Sequence, residues 1–376
     1  MEVNAQLNGL EISIVNSKPS QSIGLTPDLS RYCESKSKEI MRSFNSRGMI
    51  FKYDNLDETT RNLIENFMFF YAIGDVKPDG KLKTVTTNVK IDLDAFEWFR
   101  GLYKSFGVKM PEFHARFVRT PKTKTEGDNT ISCFSTGKDS TYVTLSTNSQ
   151  PVHVTRLNRA TSTREIRALK KFLPILKKEP IIIPAYSSLK LGRGNNAYQM
   201  RDGLIYAWMI PIAKHCRANK IYSGAYGENT WYSTSKEGVA NLNELLHEKG
   251  INITIEQIDK LSEEEIIRRM IVQYPREFYM THPCVLDDLL FTIKRNWFMK
   301  KFPEYPLMEG SCGTCGKDIQ LNMARLIHDP KISETSKNCQ RAIAEYYVKR
   351  AMQENISDFI EPELVEKVRR KYNINN

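Results

Sequence analysis

The sequence predicts an α/β protein with a parallel sheet, preceded by a separate N-terminal α+β module and followed by a C-terminal helical part. Two observations carry this prediction. From residue 130 onward, short apolar runs alternate with longer segments of helical period, the pattern of strand–helix–strand crossovers. The chain has 376 residues, 40% of them hydrophobic and 26% charged, enough for two or three domains and ordinary for a globular protein. A formal net charge of +11 favours polyanionic partners, but it equally describes a well-solvated basic surface.

Residues 1–120 form the expected N-terminal module. A helix beginning at Asp57 carries Leu63, Ile64, Phe67 and Phe70, and another beginning at Asp94 carries Phe96, Phe99, Leu102 and Tyr103, both at helical spacing. Between them Asp79-Gly80 signals a turn, and the Thr- and Val-rich run from Leu82 to Leu93 suggests a hairpin or pair of strands. Nothing here has catalytic spacing, so packing or partner recognition is the expected role. Residues 121–129 belong to a polar run from Arg119 to Asn129 that lacks apolar anchors and reads as a linker or mobile loop.

Residues 130–325 are expected to hold strands at Thr130–Phe134, Val152–Leu157, Ile181–Ala185 and Lys220–Ser223, with crossover helices near Arg164–Leu176 and Asp202–Arg217. Ligands of such folds bind beyond the carboxyl ends of the strands, which gathers the loops 135–141, 157–162, 185–200 and 224–231 at one crevice. Residues 232–305 read as a helical insertion, where Ser262 and Glu265 form a capping box. Residues 326–376 close the chain with helices near Lys337–Met352 and Glu361–Tyr372. Seven scattered cysteines make no disulfide framework and fit a reducing, cytoplasmic setting. The first residues lack a secretory pattern. The longest apolar run, Leu204 to Ala213, contains Pro211 and is too short to cross a bilayer, so no membrane is expected as a partner.

The most informative stretch is Phe134-Ser135-Thr136-Gly137-Lys138-Asp139-Ser140-Thr141, an apolar strand end, a small-residue turn and a helix start. Gly137 admits positive φ, so that successive N–H groups can converge on an anion. Ser140 or Thr141 can cap the following helix, whose N-terminus faces the same anion, and Lys138 adds a charge. The common P-loop needs a Gly six residues before its Lys and a Ser or Thr after it; Ser132 and Asp139 stand in those places. Three other stretches carry chemistry. Gly192-Arg193-Gly194-Asn195 leads into a helix with Arg201 and Asp202, where a guanidinium can fork onto phosphate or carboxylate or simply occupy the first helical turn. In the loop Gly224–Thr230, Tyr226 can stack on a purine-like ring and Glu228 or Asn229 can bond its edge; a plain turn is the alternative. Cys312-Gly313-Thr314-Cys315 is a C-x-x-C knuckle whose glycine lets two thiolates converge on zinc. His282 and Cys284 are either metal ligands or a buried structural pair.

These residues carry a resemblance. Ser135 to Ser140 resembles the S-G-G-x-D-S loop of the PP-loop (N-type) ATP pyrophosphatases, with Thr136 in place of one glycine. The resemblance implies an adenine nucleotide alpha-hydrolase-like domain over 130–325, in which residues Ser135, Thr136, Gly137, Lys138, Asp139, Ser140 and Thr141 bind ATP. Mg2+ would bridge the phosphates while an acceptor attacks the α-phosphate, giving an adenylate and pyrophosphate. Within that superfamily the segment around Arg201 is similar to the G-R-N segment of the 7-cyano-7-deazaguanine synthases, with Asp202 where Asn is usual. That branch implies catalytic roles for Lys138, Asp139 and Arg201, and contacts to substrate from Arg201, Tyr226, Glu228 and Asn229. It also implies a zinc site. The family's last cysteine of the run is replaced by Asp318, leaving Cys312, Cys315 and Asp318, with Cys284 or Cys339 as a ligand only the fold can supply. The implied reaction activates a deazapurine-like carboxylate with ATP and transfers it to ammonia or another amine. Relatives in bacterial antiviral defence systems extend the acceptor to nucleic acid or protein. Two alternatives stay open: a sulfur-transfer enzyme of the adenylyl-sulfate reductase or tRNA thiolase type, which needs an activated cysteine, and a non-catalytic nucleotide-sensing or nucleic-acid-binding protein.

Overall fold

The ten strands of the described residues form one sheet. In the computed structural model, which describes residues 2–15, 21–25, 35–76, 82–105, 107, 109–156, 160–188, 196–224, 232–257, 261–282, 288–353 and 360–374, the strands are β1 Glu2–Asn8, β2 Glu11–Ile14, β3 Gln21–Leu25, β4 Thr84–Asp92, β5 Glu112–Val118, β6 Asn129–Cys133, β7 Gln150–Arg156, β8 Ile181–Ser187, β9 Ala218–Ser223 and β10 Thr254–Gln257. The helices are α1 Ser35–Ser46, α2 Glu58–Val76, α3 Leu93–Ser105, α4 Lys138–Ser146, α5 Ala160–Phe172, α6 Asn196–His215, α7 Lys236–Glu248, α8 Glu263–Gln273, α9 Pro275–Met280, α10 Asp288–Lys301, α11 Gly316–His328, α12 Pro330–Ser333, α13 Lys337–Ala351 and α14 Pro362–Tyr372. The chain divides into two units. The first comprises Met1–Phe134, Val143–Asn158 and Lys178–Asp259; the second comprises Ser135–Tyr142, Arg159–Lys177 and Lys260–Asn376.

The first unit is α/β. Its sheet runs in the order β10-β9-β6-β7-β8-β3-β2-β1-β4-β5. Strands β10, β9, β6, β7 and β8 are mutually parallel, as are β1, β4 and β5, while β8, β3, β2 and β1 pair antiparallel. The chain steps from β6 to β7 and β8 on one side, then returns to lay β9 and β10 on the other. The topological switch point therefore lies between β6 and β9, the position at which open α/β sheets bind ligands.

Helix α2 buries Ile64, Phe67, Met68, Phe69, Phe70 and Ile73, so it is apolar on nearly every side and packs as a core element. The Phe70 ring stacks on Phe99 of α3 with centroids 3.9 Å apart. Each such aromatic contributes about 2–3 kcal/mol by burial. The apolar run Leu204 to Ala213 lies within α6, with Pro211 inside the helix, and joins the same core. Among the described residues no helix is long and apolar enough to cross a membrane.

Four expectations differ from this arrangement. Residues 1–120 do not stand apart, because β3 pairs with β8 through Ile23–Ser187 and Leu25–Ala185 and both halves share one core. The run Leu82 to Leu93 supplies a single strand, β4, and not a hairpin; the Asp79-Gly80 turn lies outside the described residues. The segment 121–129 is pinned. Thr123 N–H donates to the Lys249 carbonyl at 2.8 Å and Asn129 N–H to that of Arg217 at 3.1 Å, while Gly127 lies so near Arg217 that a Cβ would clash with its carbonyl. The stretch 232–305 is not one insertion, since α7 and β10 extend the first unit and β10 adds a strand beside β9.

The second unit is helical, and the expected boundary at residue 325 falls inside α11. Ser262 caps α8 by accepting the N–H of Glu265 at 3.1 Å, the N-cap half of the expected box, while the Glu265 carboxylate pairs with Arg268 and Arg269. The fully buried Arg325 is matched on every side: Nε to Asp329 at 2.8 Å, Nη1 to Asn322 at 3.0 Å and Nη2 to the Pro306 carbonyl at 2.8 Å. A buried guanidinium is tolerated only with its donors satisfied in this way.

Candidate phosphate-binding turn and metal cluster

Strand β6 ends at Cys133 and α4 begins at Lys138, so the reversal occupies Phe134 to Gly137. The buried His153 ring fixes the strand end through Nδ1 and the Phe134 carbonyl, 2.8 Å apart. The left-handed residue of the turn is Thr136, at φ +62°. Gly137 is not among the residues with positive φ, which corrects the expectation placed on it. A Cβ there would make only ordinary contacts with the Ser135 and Ser140 hydroxyls, at 3.4 and 4.0 Å.

Ser140 is the hub of the turn. Its Oγ accepts the Ser135 N–H at 3.1 Å, lies 3.1 Å from Ser135 Oγ, and donates to the Gly137 carbonyl at 3.1 Å. The same carbonyl accepts the Thr141 N–H at 3.0 Å, the first bond of α4. Ser140 thus reaches back from inside the helix and is not its N-cap. The first-turn N–H groups of α4 have no intrahelical acceptor and leave an electropositive helix start. The Thr136 carbonyl accepts the N–H of His282 at 2.8 Å. Thr136 Oγ1 and Thr141 Oγ1 are buried without a hydrogen-bond partner among the described residues, an unusual state for hydroxyls that a ligand oxygen or water would relieve.

Lys138 is buried with its ammonium 2.6 Å from Asp139 Oδ1 and 3.1 Å from Glu263 Oε2. Burial disfavours its charge, but the two carboxylates outweigh burial and raise its pKa. Sequence reasoning missed Glu263, which lies far along the chain in α8 and carries only the signature of a helix start.

The C-x-x-C residues do converge. One ligand atom each from Cys312, Cys315 and Asp318 lies within 4.8 Å of the others. Gly313 takes φ +75°, and a Cβ there would meet the Phe298 ring at 2.6 Å, so only glycine fits the knuckle. Asp318 Oδ2 accepts the N–H groups of Cys312 at 2.6 Å and Gly313 at 3.1 Å, while Oδ1 is buried without a partner among the described residues. Burial, then the neighbouring Cys312 sulfur, drives the Asp318 carboxyl well above the usual range. Two thiols and an unsatisfied carboxyl oxygen fit a zinc ion that takes a fourth ligand. Cys339 is not part of this cluster, and Cys284 lies outside the described residues.

Arg201 sits in α6 of the first unit, 3.3 Å from Asp202 Oδ1. Tyr226, Glu228 and Asn229 lie outside the described residues, as do residues 157–159 and 189–195. No protein-family model, curated protein or solved structure matches the chain.

Proposed function

We propose that the chain is an ATP-dependent adenylating enzyme of the PP-loop kind, its sheet an instance of the adenine nucleotide alpha-hydrolase-like fold. The observation that carries this reading is the 135–141 turn, with left-handed Thr136, the Ser140 hub and charged Lys138 at the start of α4. In adenylation a carboxylate oxygen bonds to the α-phosphorus as the bond to the bridging oxygen breaks, so negative charge builds on pyrophosphate. Fixed N–H groups at the α4 start and the Lys138 ammonium stabilise that charge without reorganising. Mg2+ bound with the nucleotide would neutralise more of it.

The acid in this reading is a deazapurine-like carboxylate. Ammonia or another amine then attacks the acyl carbon and AMP departs. Arg201, Tyr226, Glu228 and Asn229 are assigned to the acyl-adenylate and its base by resemblance. Cys312, Cys315 and Asp318 would hold zinc, which supplies a structural clamp there. Burial pushes the thiols of Cys133, Cys216 and Cys339 upward, which weighs against sulfur transfer through them. Free thiols at Cys133, Cys216 and Cys339 suit work in the cytoplasm.

The test is incubation with ATP, Mg2+ and deazaguanine acids, with products read by mass spectrometry. AMP and pyrophosphate are expected; ADP and phosphate overturn the reading.

A further inference from the structure

The turn does not hold the Lys138 ammonium by itself. The lysine side chain is 5% exposed, and among the described residues its carboxylate partners are Asp139 and Glu263. Three consecutive glutamates open α8. Glu264 is matched by His328 at 2.8 Å and Lys367 at 2.7 Å, and Glu265 by Arg268 and Arg269, each at 2.7 Å. Glu263 alone of the three faces Lys138. It is fixed from behind, because its N–H donates to a Glu361 carboxylate oxygen at 2.8 Å, and Glu361 N–H in turn donates to Gln320 Oε1 at 3.2 Å. Glu361 is the N-cap residue of α14.

We propose that Glu263 is a positioning residue for the phosphate-binding turn: it holds the Lys138 ammonium at the start of α4, and Glu361 holds Glu263. This rests on the reading that the turn binds phosphate. Burial disfavours the charge of an ammonium, and each adjacent carboxylate adds to the stability of the charged, fixed form. Among the described residues, the charged groups facing Lys138 are Asp139 on its own helix and Glu263 on α8. The others at that end of α8 are matched as described, and Arg269 also donates to Tyr142 Oη at 3.2 Å. The C-terminal helices thereby reach the turn through hydrogen bonds within the second unit.

Binding of inorganic pyrophosphate with Mg2+ to the full chain, followed by calorimetry, tests this. Glu263→Gln should weaken binding about ten-fold, the scale of a lost charge-assisted bond, and shift its alkaline loss to lower pH. Glu361→Gln should weaken it about three-fold. In a Lys138→Ala background Glu263→Gln should have no further effect. Equal or tighter binding by Glu263→Gln, an unmoved alkaline limb, or an undiminished effect in the Lys138→Ala background overturns the proposal and leaves the ATP reading standing. Where Glu263→Gln melts early, Glu263→Asp decides: it should keep the alkaline limb with about three-fold weaker binding, and wild-type affinity in it overturns the proposal. A folded wild-type chain that binds neither pyrophosphate nor ATP overturns both.

Discussion

Thr136 stores strain where a glycine would store none. A β-branched residue at φ +62° costs about 1–3 kcal/mol, and its hydroxyl is buried unpaired besides. Thr136→Gly should therefore raise stability by about 1 kcal/mol, read as a higher urea midpoint with an unchanged slope. A lower midpoint would mean that packing of the threonine methyl outweighs the backbone. Glu65 makes a second residue-level case. Burial lifts its carboxyl from 4.5 to about 7, with Arg61 and Lys90 only partly offsetting this. Between those values the native chain binds the proton more tightly than the unfolded one, so stability falls as pH rises through that window and is level above it. Glu65→Gln should flatten this slope and stabilise the protein near pH 8 by about 2 kcal/mol, after discounting for residual solvent. Unfolding at pH 5 and pH 8 checks it. The residue types at the turn were legible in the sequence. Which of them takes the left-handed conformation was not, because Thr136 is an unfavourable choice that local propensity argues against.

At the scale of elements, the strap Arg119 to Asn129 shows how composition misleads. It is polar because its anchors are polar. The Lys249 ammonium at the end of α7 is 3% exposed and lies 2.7 Å from Asp92 and 2.6 Å from Asp94. Asp92 also accepts the Thr120 N–H at 3.0 Å, and the Thr125 hydroxyl accepts the N–H of Asn252. Lys249→Ala leaves two carboxylates without their cation and should cost about 3–5 kcal/mol, with protease cleavage appearing first within 119–129. Wild-type resistance in a folded variant would show that the strap is held by other means. On the zinc reading of the knuckle in the second unit, Gly313→Ala should lower the zinc content of the purified chain, because both φ and the Phe298 ring oppose a side chain. Metal analysis of purified wild type and variant measures it, and equal zinc in both would contradict the geometry.

For the whole molecule, the continuous sheet decides what folds together. Strand β3 pairs with β8, and Phe67 and Phe70 share their core with residues of α6 such as Tyr206 and Met209. A fragment of residues 1–120 should therefore lack stable structure by circular dichroism and proteolysis; a cooperative thermal transition would restore it as a domain. Local patterns along the chain specify the α/β class, the parallel strands after residue 130, the N-cap at Ser262 and the knuckle at Cys312, because periodicity, caps and short spacings are encoded among near neighbours. Tertiary structure alone decided that β1 to β5 join the same sheet, that Lys249 pins the strap and that Glu263 meets Lys138. Strand pairing and charge pairing join residues far apart in the chain, and no local pattern names the partner.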